Sequence, residues 1–169
     1  MAYPHTETHV KIYALGDICQ VDGTWKKSEC RGGLGLYYFN TNTLEKLMGR
    51  CNLRRGISPP HAELEALIWA MQCMLNTGKL TMVFQMDYSD VVKMVSKPKK
   101  WSAFSLLLEE VDRCKRRFNS FSIMQIPMTE NTKANNLAQN ARALLSDVYY
   151  VHSLFQQFGF PSYFRDRGS

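Results

Sequence analysis

Apolar residues recur along the chain in two patterns, one with the short period of strands and one with the period of helices. The first third predicts three strands, DICQVD at residues 17–22, RGGLGLYYF at 31–39 and TLEKLMGRCNL at 43–53, with NTNT as the turn between the last two. The first strand is expected to close at Asp22-Gly23, because an aspartate followed by a glycine is typical of a turn. Residues 1–16 carry no clear period, and we interpret them as a leader for which disorder is expected.

The rest of the chain alternates helices with strands. The most regular helical pattern is SPPHAELEALIWAMQCMLNTG, which Ser58 can cap and which Asn76-Thr77-Gly78 can end. The pattern then predicts a strand at 80–87, a short helix at 89–95, a basic loop at 96–101, a helix at 101–118, a strand at 121–127 and a final helix. The predicted buried face of the final helix consists of Ala134, Leu137, Ala138, Ala141, Leu144 and Leu145. This order of elements predicts a mixed α/β domain.

Composition indicates a globular protein. The chain has 169 residues, of which 45% are hydrophobic and 12% aromatic, enough for one domain with a sizeable core. We expect that domain at 17–148, followed by an aromatic tail at 149–169 that packs on the domain or on a partner. No apolar run is long enough to span a bilayer, and the start MAYPHTETHVK lacks a signal-peptide pattern. The five cysteines form no CxxC pair, which disfavours a disulfide framework or a zinc site. We expect an intracellular protein, nuclear or cytoplasmic, that is a monomer.

The net charge of +6 is compatible with a polyanionic partner, although many basic proteins bind none. The densest basic stretch with an aromatic residue contains Lys97, Lys99, Lys100 and Trp101. A contact to nucleic acid and a solvated turn are equal alternatives for this loop.

Three carboxylates occupy positions that suggest chemistry. Asp22 and Asp87 each end a predicted strand, where either one alone could simply form a turn. On a helical wheel Glu63 flanks the apolar stripe on the side aimed at the sheet, whereas Glu65 lies on the opposite, solvated flank. A half-buried glutamate without a nearby cation is unfavourable. If the three carboxylates converge, their repulsion has to be neutralised, and a hard divalent cation such as Mg²⁺ does this.

Four segments carry a resemblance to a known family. In order and spacing, VDGTW with GGLG, HAELEALIWAM, FQMDYSDVVKMV and IPMTENTKANNLAQNAR resemble the ribonuclease H domain of plant non-LTR (LINE-type) retrotransposons, within the type 1 ribonuclease H-like superfamily. The resemblance covers most of the chain. It implies a ribonuclease H-like fold, a mixed five-stranded sheet with the first three strands antiparallel, flanked by helices. It also implies two Mg²⁺ or Mn²⁺ ions, cleavage of the RNA strand of an RNA/DNA hybrid, and a reverse transcriptase in the same polyprotein.

Residue by residue, the resemblance assigns Asp22, Glu63 and Asp87 as catalytic, metal-binding carboxylates. The fourth family carboxylate lies in an N-x-x-A-D-x-L-A pattern, which reads NTKANNLA here, so that Asn135 holds the aspartate position. The residues expected to contact the hybrid are Gly23, Thr24, Ser58, Ser89, Lys97, Lys99, Lys100 and Trp101.

Three functions stay open, the first two because of Asn135 and the third because of the aromatic tail. The first is a ribonuclease H with reduced activity, in which Asn135 offers a neutral carbonyl oxygen to one ion. The second is a catalytically impaired module that binds hybrids or double-stranded RNA. The third is an interaction domain in which the aromatic tail docks a partner, and a dimer that dissociates on truncation of the tail would favour it.

Overall fold

A six-stranded mixed sheet is the framework of the computed structural model, which describes residues 16–29, 31–53, 58–143 and 149–153. The strands are β1 (Asp17–Lys26), β2 (Arg31–Asn40), β3 (Lys46–Leu53), β4 (Thr81–Met86), β5 (Ser120–Gln125) and β6 (Tyr149–Ser153). Their order across the sheet is β5-β4-β1-β2-β3-β6. Strands β1, β2 and β3 pair antiparallel, while β4 runs parallel to β1 and β5 runs parallel to β4. The predicted five strands and the antiparallel start are confirmed.

The sixth strand comes from the segment interpreted as an aromatic tail. Strand β6 pairs antiparallel with β3, from Tyr149 opposite Cys51 to Ser153 opposite Leu47. The start of the tail therefore extends the sheet at its edge. Of the leader expected at 1–16, all but Gly16 falls outside the described residues, and so does the tail beyond Ser153.

In the part of the chain that the structure describes, four α-helices flank the sheet: α1 (Pro59–Asn76), α2 (Ser89–Ser96), α3 (Ser105–Lys115) and α4 (Thr132–Ala143). Helix α1 packs on β1, β2 and α3, and helix α4 packs on β1, β2 and β3. Glycine positions show that these two helices cover opposite faces of the sheet, because Gly23 lies against α1 whereas Gly33 and Gly35 lie against α4. Within the described residues, no helix combines the length and the apolar character needed to cross a membrane.

The main core lies between α1 and the sheet. Helix α1 is buried on most of its circumference, as expected for a helix held between a sheet and a second helix. The largest fully buried side chains are Trp69, Tyr38, Phe84, Ile18, Leu34, Leu36, Leu47, Leu64, Leu67, Ile68 and Met71. In α4 the predicted positions Ala134, Ala138 and Ala141 are buried, Leu137 is partly exposed, and positions 144 and 145 lie outside the described residues.

Two local predictions were wrong. The first strand does not close at Asp22-Gly23 but continues to Lys26, with Thr24 opposite Gly33. A side chain at position 23 would overlap the backbone of Ala62 in α1, so Gly23 marks a close approach of helix to strand. The hydroxyl of Ser58 does not cap α1; it lies 2.6 Å from Nδ1 of His61, while the Ser58 carbonyl accepts the first helical hydrogen bond.

Helix α4 lies directly on the backbone of β2. A Cβ atom added at Gly33 would overlap the carbonyl oxygen of Ala138 and lie 2.7 Å from the amide nitrogen of Arg142. A Cβ atom added at Gly35 would overlap the carbonyl oxygen of Ala134 and lie 2.7 Å from the amide nitrogen of Ala138. Glycine on the strand and alanine on the helix thus bring the two backbones into contact.

We predict that Gly33→Ala lowers the free energy of unfolding by about 3 kcal/mol or more, because the clashing atoms belong to backbone that cannot move aside. Urea denaturation measures this change. The matched control is Gly78→Ala: Gly78 has φ of +75° but no atom within 4 Å of an added Cβ, so only backbone strain of about 1 kcal/mol is expected. Equal losses of stability for the two variants would contradict the close packing of α4 on β2.

Candidate metal centre

Three carboxylates from three elements meet at one point. Asp22 lies within β1, Asp87 directly follows β4, and Glu63 is in the first turns of α1. One oxygen of each lies within 4.8 Å of the others. Parallel pairing of Val21 with Met86 places the two aspartates side by side. The close approach of α1 at Gly23 brings Glu63 to them.

Burial distinguishes the members of this cluster. The exposed fraction is 3% for Asp22 and 5% for Glu63, while Asp87 is half-buried. Glu65 is partly exposed, so Glu63 is the helix carboxylate that faces the sheet, as the helical wheel predicted. The half-buried Asp87 gives the cluster its access to solvent.

Each carboxylate accepts a hydrogen bond from a neutral amide. The backbone N–H of Gly23 donates to Oε2 of Glu63 over 3.3 Å. Nδ2 of Asn135 donates to Oδ2 of Asp22 over 2.7 Å. Nδ2 of Asn131 donates to Oδ2 of Asp87 over 3.1 Å.

The environment favours protonation of the two buried acids. Burial raises the pKa of Asp22 to about 6; the hydrogen bond from Asn135 opposes this shift, and the charge of Asp87 adds to it. Burial also raises the pKa of Glu63 well above its usual value, and the charges of Asp22 and Asp87 raise it further. A cluster made only of oxygen ligands, which repel one another when ionised, fits a hard divalent cation.

Asn135 occupies the position expected for a fourth carboxylate, but it presents its NH₂ group to Asp22. Its Oδ1 instead accepts a hydrogen bond from Nε2 of Gln139 over 3.0 Å. The sequence had suggested that the carbonyl oxygen of Asn135 could bind an ion. In this structure that oxygen faces Gln139, and only rotation of the amide would turn it towards the cluster.

The sequence interpretation missed Asn131, which directly precedes α4 and is completely buried. Besides Asp87, its Nδ2 donates to the carbonyl oxygen of Val21 over 2.9 Å. The available signal was its place just before the last helix, four residues ahead of Asn135. A search restricted to acidic residues passes over an amide with this role.

The residues expected to read RNA flank the carboxylates along the chain. Gly23 and Thr24 follow Asp22 in β1, Ser58 precedes α1, and Ser89 begins α2 two residues after Asp87. Gly23 is buried against α1, and Oγ1 of Thr24 is buried without a hydrogen-bond partner among the described residues. Ser58 contacts His61, whose ring centroid lies 4.8 Å from that of Phe104.

The basic loop is a separate surface. Lys97, Lys99 and Lys100 are exposed around a short 3₁₀ turn at Pro98–Lys100, beyond the end of α2. Helix α2 has 8 residues, which at about 1.5 Å each places the loop roughly 12 Å from Ser89. Trp101 is half-buried and packs against the core, so it anchors the loop.

We predict that Asp22→Asn stabilises the metal-free protein at pH 7.5. The pKa of Asp22 is about 6 in the folded protein, above its ordinary value of 3.8, so folding takes up a proton at pH values between the two. The free energy of unfolding therefore falls as the pH rises from about 4 to 6. Removing the carboxylate should raise the free energy of unfolding by up to about 3 kcal/mol at pH 7.5, and the gain should vanish near pH 4. Denaturation in EDTA across this range measures it.

The control for that experiment is Asp112→Asn, which removes an exposed carboxylate paired with Arg116. It should change stability little at any pH, because exposed ion pairs contribute little. A loss of stability on Asp22→Asn throughout the pH range would contradict the electrostatic strain inferred for the cluster.

A family model described as reverse transcriptase-like matches residues 20–141, a range that contains all three carboxylates, Asn131 and Asn135. No match was found among curated proteins.

Solved structures share the fold at low sequence identity. Ribonuclease H1 from the halophilic archaeon Halobacterium salinarum NRC-1 is 19% identical, with a TM-score of 0.67 over 74% of this chain and 96% of that chain. LC11 ribonuclease H1 in complex with an RNA/DNA hybrid is 19% identical, with a TM-score of 0.66 over 75% of this chain and 96% of that chain; this protein was isolated from compost by a metagenomic approach.

The prototype foamy virus protease–reverse transcriptase is 14% identical, with a TM-score of 0.62 over 77% of this chain but only 21% of that chain. The mixed sheet, with its first three strands antiparallel, and the flanking helices agree with the ribonuclease H fold. This chain belongs to the reverse transcriptase-like family and has the fold of the ribonuclease H superfamily.

Proposed function

We propose that this chain is a metal-dependent endoribonuclease that hydrolyses the RNA strand of RNA/DNA hybrids. The observation that carries the proposal is the convergence of Asp22, Glu63 and Asp87 within 4.8 Å, in a member of the reverse transcriptase-like family. A fold-related ribonuclease H1 was solved with an RNA/DNA hybrid, which supports this substrate class.

In this proposal Asp22, Glu63 and Asp87 would hold two Mg²⁺ or Mn²⁺ ions, and Asn135 would help to hold one of them. Such ions, when bound, lower the pKa of a coordinated water and stabilise charge on the leaving oxygen. The chain buries Asp22 and Glu63, holds all three carboxylates close together, and orients each one through a hydrogen bond from an amide. Carboxylates already ordered in this way bind a cation without a further loss of side-chain entropy.

Asn135 reduces the negative charge of the second ion's position by one and presents NH₂ to Asp22. We therefore propose weaker binding of one ion and a lowered rate, with partial recovery in Mn²⁺, which accepts nitrogen and oxygen ligands more readily than Mg²⁺. The same observation favours the second candidate, a module that binds hybrids or double-stranded RNA without efficient cleavage.

Substrate contacts are proposed at two places. Gly23, Thr24, Ser58 and Ser89 adjoin the carboxylates along the chain. Ser58 and Ser89 are partly exposed and suit recognition of the 2′-hydroxyl groups that distinguish RNA from DNA. The N–H of Gly23 already donates to Glu63 and the hydroxyl of Thr24 is buried, so these two would contact RNA only after a local rearrangement. The second place is the basic loop, where the exposed Lys97, Lys99 and Lys100 suit the phosphates of the DNA strand. Trp101 packs against the core and so anchors this loop.

We further propose that the chain derives from a plant LINE-type retrotransposon and belongs with a reverse transcriptase in one polyprotein. The family description supports this context. So does the foamy virus protein, in which the matched region is 21% of a longer chain. A monomer in the nucleus or cytoplasm completes the proposal.

We predict that Asn135→Asp increases the cleavage of a labelled RNA/DNA hybrid in Mg²⁺ by about tenfold or more, which corresponds to roughly 1.4 kcal/mol in the barrier. The gain should be smaller in Mn²⁺, and Asp22→Asn should abolish cleavage in both metals. Asn136→Asp is the matched control, because it adds the same charge at the neighbouring, exposed position of α4.

Equal rates for the wild type and Asn135→Asp would refute the role given to position 135. No cleavage by any variant, combined with tight binding of the hybrid, would identify the chain as a binding module and refute the enzyme.

We also predict that the double change Lys99→Ala and Lys100→Ala weakens hybrid binding and makes it less dependent on salt. The slope of log K against log[salt] is negative, and its magnitude should fall by roughly 0.9, the value for duplex DNA, for every phosphate that is no longer neutralised. Fluorescence anisotropy at several salt concentrations measures this slope. Lys115→Ala removes an exposed lysine at the end of α3 and should leave the slope unchanged; equal slopes for all proteins would identify the loop as a solvated turn.

A further inference from the structure

Asn131 connects three elements that build the candidate metal centre. Its backbone carbonyl accepts the first hydrogen bond of α4, from the N–H of Asn135 over 3.1 Å. Its side chain reaches the carbonyl oxygen of Val21 in β1 and the carboxylate of Asp87 after β4, at 2.9 and 3.1 Å. One residue therefore sets the start of α4 relative to both strands that carry the aspartates.

These contacts differ from those of an ordinary residue at the start of a helix. An asparagine in this position commonly accepts a hydrogen bond from a backbone N–H of its own first turn. Here the side-chain nitrogen is used instead, and both of its hydrogen bonds lead away from α4 to other elements. Oδ1 of Asn131 is buried and has no hydrogen-bond partner among the described residues.

The unpartnered oxygen makes this arrangement unfavourable for stability alone. A buried acceptor without a partner destabilises the folded state, because it loses its hydrogen bonds to water and gains none. The amide is thus held in an orientation in which its nitrogen binds Val21 and Asp87 while its oxygen stays without a partner. The ladder between β1 and β4 ends at Val21 and Met86, so the amide binds where strand pairing stops and the aspartates begin.

We propose that Asn131 is a positioning residue of the metal centre, which fixes the carboxylate of Asp87 against β1 and, through the first turn of α4, places Asn135 over Asp22. The proposal rests on the proposed function in so far as the cluster binds a divalent cation. It assigns to a neutral, completely buried amide the orientation of two groups at the centre. Removal of a hydrogen-bonding partner behind a metal ligand typically weakens metal binding by roughly 10–100-fold.

Replacement by serine separates this role from that of a helix start. Serine starts a helix about as well as asparagine. It is shorter, however, and lacks the NH₂ group that binds Val21 and Asp87. Asn131→Ser should therefore weaken binding of Mn²⁺ by about tenfold or more, as should Asn131→Ala, while Asn136→Ala at the exposed neighbouring position should not change it.

The experiment measures Mn²⁺ binding to the whole chain by isothermal titration calorimetry and by the decrease of the free-ion signal in electron paramagnetic resonance. Thermal denaturation in EDTA confirms that each variant is folded. Weaker binding by both Asn131 variants supports the proposal. Wild-type affinity in Asn131→Ser overturns it, because a helix start would then be all that the position provides.

A second measurement keeps the positioning role testable if the wild type binds no Mn²⁺, a result that would refute the proposed metal-dependent function. The unfolding constants of wild type, Asn131→Ser, Asp87→Ala and the double variant form a thermodynamic cycle in EDTA. A positioning contact predicts that the effects are not additive, with a coupling factor of about five or more. Additive effects would overturn the positioning role independently of any metal.

Discussion

Contact between α4 and the bare backbone of β2 is the constraint on which the candidate site depends. At Gly33 and Gly35 there is no room for a Cβ atom, because the carbonyl oxygens of Ala138 and Ala134 occupy that space. Gly35 is paired with Asp22 across the ladder, so the helix that rests on Gly35 necessarily passes over the aspartate. The same close approach on the other face, at Gly23, brings α1 and its glutamate to the strand. Missing side chains at a few strand positions thus allow two helices to reach one point of the sheet from opposite faces.

The acidic cluster opposes folding in the absence of a cation. Two of its three carboxylates are buried, and their raised pKa values reflect the unfavourable transfer of charge into the interior. Backbone and side-chain amides satisfy part of the hydrogen-bonding capacity of these groups, but they supply no positive charge. A fold that keeps such a cluster gives up stability at that place, which is typical of functional sites.

Two asparagines near the start of α4 make the same kind of hydrogen bond, each to one of the two aspartates. Asn131 donates to Asp87 and Asn135 donates to Asp22, each through its NH₂ group. The two asparagines differ in burial: Asn131 is completely buried, whereas Asn135 is partly exposed. On the helix surface, Oδ1 of Asn135 accepts a hydrogen bond from Gln139. The amide of Asn131 is held inside the protein by contacts on two strands, whereas the amide of Asn135 is held at the surface by one hydrogen bond to Asp22 and one from Gln139. The position at which a fourth carboxylate was expected is therefore the less enclosed of the two.

The sequence by itself determined the type and order of the main elements, because the hydrophobic period of a segment is a local property. It also pointed to Asp22, Glu63 and Asp87 as the carboxylates that could meet, because their positions at strand ends and on a helix face can be read from the chain. It could not distinguish a glycine that forms a turn from one that admits a helix, and so it ended β1 too early at Gly23. It also could not show that the hydroxyl of Ser58 would turn to His61, or that the amide of Asn135 would point its nitrogen to Asp22. Those outcomes, and the contacts of Asn131, were decided only by tertiary structure. Their energies depend on groups up to 113 positions apart in the chain, such as Asn135 and Asp22, which folding alone brings within hydrogen-bonding distance.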